Sequence, residues 1–134
     1  VVQLNTDGAC HIEAMSIKNI LPQFDLDHLD IIIIENIGNL VCPAEFDIGE
    51  SLKVALLSIP EGDDKVEKYP LMFTRADALV LTKYDLINYF EFNEERVEKN
   101  ALIRNDELKL FKVNSKNEDD IKEFKNWLIS KIEE

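Results

Sequence analysis

Two thiols and an imidazole stand where a soft metal ion could be held. Cys10 and His11 are adjacent, and Cys42 closes the turn Gly38-Asn-Leu-Val-Cys42-Pro43. Thiolate and neutral imidazole suit Zn2+, Ni2+ or copper rather than Mg2+ or Ca2+, because polarisable donors match softer ions. Three such donors are one short of a closed tetrahedral site. Two chains meeting across a symmetry axis could share their ligands and complete a metal centre at a dimer interface. In an arbitrary chain the plainer reading wins, two buried reduced cysteines and a histidine at a helix start. Here both cysteines fall in turns flanked by Gly or Pro rather than in core strands. The second histidine, His28, lies among Asp25, Asp27 and Asp30 and reads as a solvated side chain.

A second group of residues could handle a nucleotide. Glu35-Asn-Ile-Gly38 follows four consecutive isoleucines. An acid there can hold a Mg2+-bound water, and the glycine lets a backbone N–H approach a terminal phosphate. Read bare, an acid and a glycine after a strand mark a turn. Thr82-Lys83-Tyr84-Asp85 offers a short carboxylate that can accept from the N1–H and exocyclic amine of guanine, a pair that adenine lacks. The Lys83 stem could lie along the base face with its ammonium in a polar setting. Ser115-Lys116 falls one helix and one strand later, where backbone N–H groups could reach the base oxygen. The tetrapeptide alone favours a polar helix start in which Asp85 caps or faces the dipole. No G-x-x-x-x-G-K-[ST] loop occurs among the four glycines, and there is no G-x-S-x-G elbow.

These residues need elements to position them. Ile31–Ile34 predicts a strand buried on both faces, in the middle of a parallel sheet, because χ1-stiff side chains lose least in extended backbone. Val1–Leu4, Val54–Ile59 and Asp77–Leu81 read as further strands. The alternating stretch Leu108–Val113 reads as one nearer the sheet edge. Helices are expected from His11 to Pro22, over Val66–Arg75 with a bend at Pro70, around Val97–Leu102, and over residues 118–132. The alternation indicates a single α/β sheet, and strand carboxyl ends in such sheets are where ligands bind.

Composition bounds the function. The chain of 134 residues is 46% hydrophobic and 31% charged, with a formal net charge of −12. Such a charge repels phosphate backbones and anionic lipid, which argues against nucleic acid or a membrane surface as partner. No apolar run is long enough to span a bilayer, and no signal peptide is visible. Two cysteines without disulfide-scaffold density fit a reducing cytoplasmic setting.

Taken together, the motifs closely resemble those of the hydrogenase nickel-incorporation GTPases, the HypB family. The carriers are Asn5-Thr6-Asp7-Gly8-Ala9-Cys10-His11, Glu35-Asn-Ile-Gly-Asn-Leu-Val-Cys42-Pro43, Glu61-Gly-Asp-Asp-Lys65 with Lys68-Tyr69-Pro70, and Thr82-Lys83-Tyr84-Asp85. The resemblance runs over essentially the whole chain. It implies an α/β fold of P-loop NTPase type, three-layered, with a mostly parallel sheet and flanking helices. It also implies a GTPase that turns GTP into GDP with Mg2+, dimerises on GTP and binds Ni2+ or Zn2+ at the dimer interface. By position, Cys10, His11 and Cys42 correspond to the metal ligands, Glu35 and Gly38 to the Walker B and switch II region, and Lys83 and Asp85 to the base-recognition pair. Ser115-Lys116 matches the last nucleotide loop less clearly. The implied partners are a second copy of the chain, the nickel chaperone HypA and the hydrogenase large-subunit precursor.

Two departures are visible. Thr82 replaces the family's usual asparagine, which loosens a bracing hydrogen bond while leaving the Asp85 contact. The first strand, the phosphate loop and switch I have no counterpart here. Residues 1–134 are therefore expected to be the C-terminal part of one GTPase domain, inactive in hydrolysis when isolated. The other readings are a urease-accessory type of metallocentre GTPase and a nucleotide-free metal-binding or dimerisation module.

Overall fold

A computed structural model describes residues 1–132. The chain divides into two compact units, Val1–Ser51 and Leu52–Glu134.

The first unit is mostly irregular backbone. Helix α1 spans Ala14–Ile20, buries Ile17, and gives way to a 3-10 turn over Leu21–Gln23 that contains Pro22. Proline there removes an N–H and stops the α-helix. A single helical turn, α2, covers Cys42–Glu45, with Pro43 in its first turn where a missing N–H costs nothing. The strands expected at Val1–Leu4 and Ile31–Ile34 are not formed: no backbone ladder pairs either segment among the described residues. Ile33 is 81% exposed, and Ile31 and Ile32 are also exposed. β-branched residues favour a pleated, half-buried surface but cannot supply the neighbouring strand that makes one. Glu35 thus follows an unpaired segment rather than the end of an inner strand.

The second unit is a three-stranded sheet flanked by helices. Strand β1 spans Val54–Ser58, followed by α3 (Lys65–Lys68) and α4 (Pro70–Arg75). Strand β2 (Ala78–Thr82) leads through α5 (Glu94–Arg104) to β3 (Lys109–Val113) and α6 (Glu118–Ile132). The strand order is β1-β2-β3, and both pairings are parallel. The expected bend at Pro70 is there, as the break between α3 and α4. β3 is an edge strand, as its alternating pattern predicts.

Alternation sorts the core. Ala78 and Val80 of β2 and Phe111 and Val113 of β3 form one buried cluster, against which Phe124 and Trp127 of α6 pack. On the opposite face Ala55, Leu57, Leu79 and Leu81 are buried, as are Val66, Phe73, Val97 and Ala101 of the helices. Asn93 caps α5 by accepting from the Arg96 N–H at 2.9 Å. Three acids, Glu118, Asp119 and Asp120, fill the first turn of α6, where the helix dipole favours negative charge.

Candidate metal cluster and nucleotide loops

The first unit carries the two thiols and the imidazole. The Cys10 Sγ lies 3.6 Å from the His11 Nδ1. The Cys10 side chain and, after it, burial push the Cys42 thiol pKa up. His11 is further fixed by stacking face to face on Phe46, with ring centroids 3.8 Å apart and planes 4° from parallel. Both cysteines are free; Cys10 is exposed and Cys42 half-buried. Among the described residues no group of three or more His, Cys, Asp or Glu is gathered tightly enough to hold a metal by itself. Softness suits the donor set to Ni2+ or Zn2+, but one chain falls short of a closed site.

Two asparagines that sequence reasoning had not singled out join the segments. Asn39 donates from Nδ2 to the Cys10 carbonyl at 2.7 Å and accepts at Oδ1 from the N–H groups of Val41 and Cys42, at 3.0 and 2.9 Å. Asn36 accepts from the Ile12 N–H at 3.1 Å and from the Ile37 N–H at 2.8 Å. Between them stands Gly38, whose φ is not positive and around which a Cβ would meet nothing within 4 Å. Neither the backbone nor packing within the chain requires glycine there. Glu35 is exposed.

In the second unit, register aligns Ser58, Thr82 and Val113 at the carboxyl ends of the three strands. The loops that leave Thr82 and Val113 carry Lys83-Tyr84-Asp85 and Ser115-Lys116, so adjacent strands deliver both predicted nucleotide loops to one end of the sheet. Lys83 adopts left-handed backbone, φ 54°, unusual for a residue with a side chain. It turns the chain sharply into the 3-10 stretch Tyr84–Tyr89, in whose first turn Asp85 stands exposed. Tyr84 anchors the loop from below, donating its hydroxyl to Glu94 of α5 at 2.5 Å. Glu94 also pairs with Lys112 of β3, whose ammonium sits 5.7 Å from the centre of the Tyr84 ring. Burial pushes the Glu94 carboxyl up, yet the hydrogen bonds from Lys112 and Tyr84 outweigh it and hold the pKa below its usual value. The Ser115 loop is braced by Asp120 of α6, which accepts from the Asn114 N–H at 2.8 Å.

The acids of Glu61-Gly-Asp-Asp-Lys65 are structural. Glu61 accepts from the Ser58 N–H at 2.8 Å. Asp63 receives Arg96 at 3.1 Å and the Asn93 N–H at 2.8 Å. Asp64 holds Lys68 and Lys65, which together bring its carboxyl down to about 2.

A parallel sheet with these loops at the carboxyl ends of its strands defines an α/β domain of the nucleotide-binding class. The chain belongs to the CobW/HypB/UreG family, whose nucleotide-binding domain model matches residues 1–112. It is 40% identical over 136 residues to the hydrogenase/urease maturation factor HypB of Helicobacter pylori strain J99, covering 98% of this chain and 56% of that protein. It is 42% identical over 127 residues to the hydrogenase maturation factor HypB of Escherichia coli K12, covering 95% of this chain and 44% of the relative. Among solved structures, HypB from Helicobacter pylori in complex with nickel superposes with a TM-score of 0.93 at 39% identity, over 98% of this chain and 63% of that one. HypB from Archaeoglobus fulgidus gives 0.87 at 34% identity, over 94% and 67%. The chain spans about half the length of the curated relatives it matches.

Proposed function

We propose that this chain is the base-recognition and metal-binding part of a cytoplasmic GTPase that delivers nickel during hydrogenase maturation. The observation that carries the reading is the Cys10–His11 contact, tied through Asn39 to the backbone of Cys42 within one unit of a chain of this family. The nickel complex of the Helicobacter pylori relative supports it. Asp85 would accept from the N1–H and amine of guanine, Lys83 would lie along the base, and the Ser115-Lys116 backbone would reach the base oxygen. Glu35 would hold a Mg2+-bound water and the Gly38 N–H a terminal phosphate; the absence of any internal need for glycine at 38 fits such an approach. One chain lacks the donors for a closed centre, so two copies would share the metal, with Ni2+ as cargo and Zn2+ as competitor. Gly38 and Cys42 are joined by a few residues, so ordering by nucleotide would reach the thiols directly. HypA and the hydrogenase large-subunit precursor would stand on either side of the transfer. The Helicobacter pylori relative is a hydrogenase/urease maturation factor, which supports urease as a second destination to test.

The deciding experiment is Ni2+ and Zn2+ binding by this chain against Cys10→Ala and Cys42→Ala, with size followed by light scattering. One metal per two chains, lost in either variant and accompanied by dimerisation, is the expected result. Stoichiometric binding by monomers, untouched by Cys42→Ala, would overturn the shared centre. Equal metal affinity with GDP and a GTP analogue, in a chain that also carries a phosphate loop, would overturn the coupling.

A further inference from the structure

We propose that Asn39 is the positioning residue of the dithiol, a single carboxamide that sets how Cys10 and Cys42 face each other. The cysteines are far apart in sequence, and Asn39 uses both ends of its side chain to join their backbones. Its Nδ2 donates to the Cys10 carbonyl at 2.7 Å, and its Oδ1 accepts from the Cys42 N–H at 2.9 Å and the Val41 N–H at 3.0 Å. The partners fix the orientation of the amide. A carbonyl can only accept and an N–H can only donate, so a flipped carboxamide would lose all three bonds.

Asn36 makes a parallel but weaker tie, because its Oδ1 reaches the Ile12 N–H while nothing is donated back across. The Cys10-His11 pair is thereby held from both sides, by Asn39 at Cys10 and by Asn36 just beyond His11. Of the two, only Asn39 touches both thiol-bearing residues. It is also the residue after Gly38, so any displacement of the Gly38 backbone carries the clamp with it.

The substitutions separate its two halves. Asn39→Ala removes both. Asn39→Asp keeps the acceptor for Val41 and Cys42 but sets a carboxylate against the Cys10 carbonyl, so it frees Cys10 alone. Partners that orient a ligand from outside typically change metal affinity about 10–100-fold.

The inference rests on the nickel reading only for its metal arm, and the test carries a second arm that needs no metal. Phenylarsine oxide condenses with two neighbouring thiols, forming two As–S bonds and releasing water, and holds poorly to thiols that cannot converge. Titrations with phenylarsine oxide and with Ni2+ alone would be run on the unaltered chain and on both variants, with the thiolate-to-nickel absorption recorded and thermal melting followed by circular dichroism. The expected result is capture of both probes by the unaltered chain, about ten-fold or more weaker in Asn39→Ala, with an altered charge-transfer band and an unchanged melting point. Asn39→Asp should fall between.

Unchanged capture of both probes in both variants would overturn the proposal. So would losses that track a fall in melting point, since Asn39 would then be supporting the fold. Asn39-dependent capture of the arsenical with no nickel binding would uphold the clamp and sink the nickel reading. Nickel binding lost in Cys42→Ala but intact in Asn39→Ala would do the reverse.

Discussion

Asp85 stands exposed in the first turn of the 3-10 stretch that follows the middle strand. A carboxylate accepts two donors from guanine, whereas an amide in its place donates to the C2 carbonyl of xanthine. In a chain that also carries a phosphate loop, Asp85→Asn should weaken GDP binding by at least about ten-fold, two charge-assisted hydrogen bonds being worth about 1.5–3 kcal/mol each. Binding of xanthosine diphosphate should improve, and competition with a fluorescent nucleotide checks both. Cys10, His11, Cys42, Lys83 and Asp85 were singled out as candidates by the sequence because their side chains have distinctive chemistry at telling positions. Asn36, Asn39 and Phe46 were not. Their work is a hydrogen bond or a ring contact to a segment distant in sequence, and no local spacing records it.

Strands and helices could be read where they satisfy themselves within the described chain. Val54–Ser58, Ala78–Thr82 and Lys109–Val113 pair with one another, and α6 follows its three- and four-residue spacing. Ile31–Ile34 misled because a run of β-branched residues announces a preference, while a strand also requires a partner. At this scale Phe73 of α4 is the largest fully buried side chain among the described residues, at 0% exposure. Phe73→Ala should cost about 3–5 kcal/mol in urea unfolding, from lost burial and the cavity left behind.

The link between α3 and its approach is electrostatic and gives a pH signature. Lys68, then Lys65, lower the Asp64 carboxyl to about 2 in the folded chain, below its unfolded value. A group depressed on folding stabilises the fold above the unfolded pKa, and loses that contribution as pH falls through the folded one. Unfolding midpoints should therefore drop from about pH 4 to pH 2, and Asp64→Asn should flatten that part of the profile. An identical acid limb in the variant would refute the assignment.

Across the whole molecule the two units differ in how their backbones are engaged. The second holds a central strand, β2, bonded on both sides, and the first has no ladder among its described residues. Amide hydrogen exchange should reflect this directly, slowest over Leu79–Leu81 and fastest through residues 31–35, since protection follows the cost of local opening. Comparable protection in the two stretches would contradict the unpaired state of the isoleucines. The same division gives the molecule an optical asymmetry. Its one tryptophan, Trp127, lies against Phe111 and Phe124 in the second unit, with its indole N–H buried and unpartnered. Fluorescence should thus begin at short wavelength and shift to the red when α6 lifts from β3. An emission-based melting curve would therefore report the packing of α6 on the sheet.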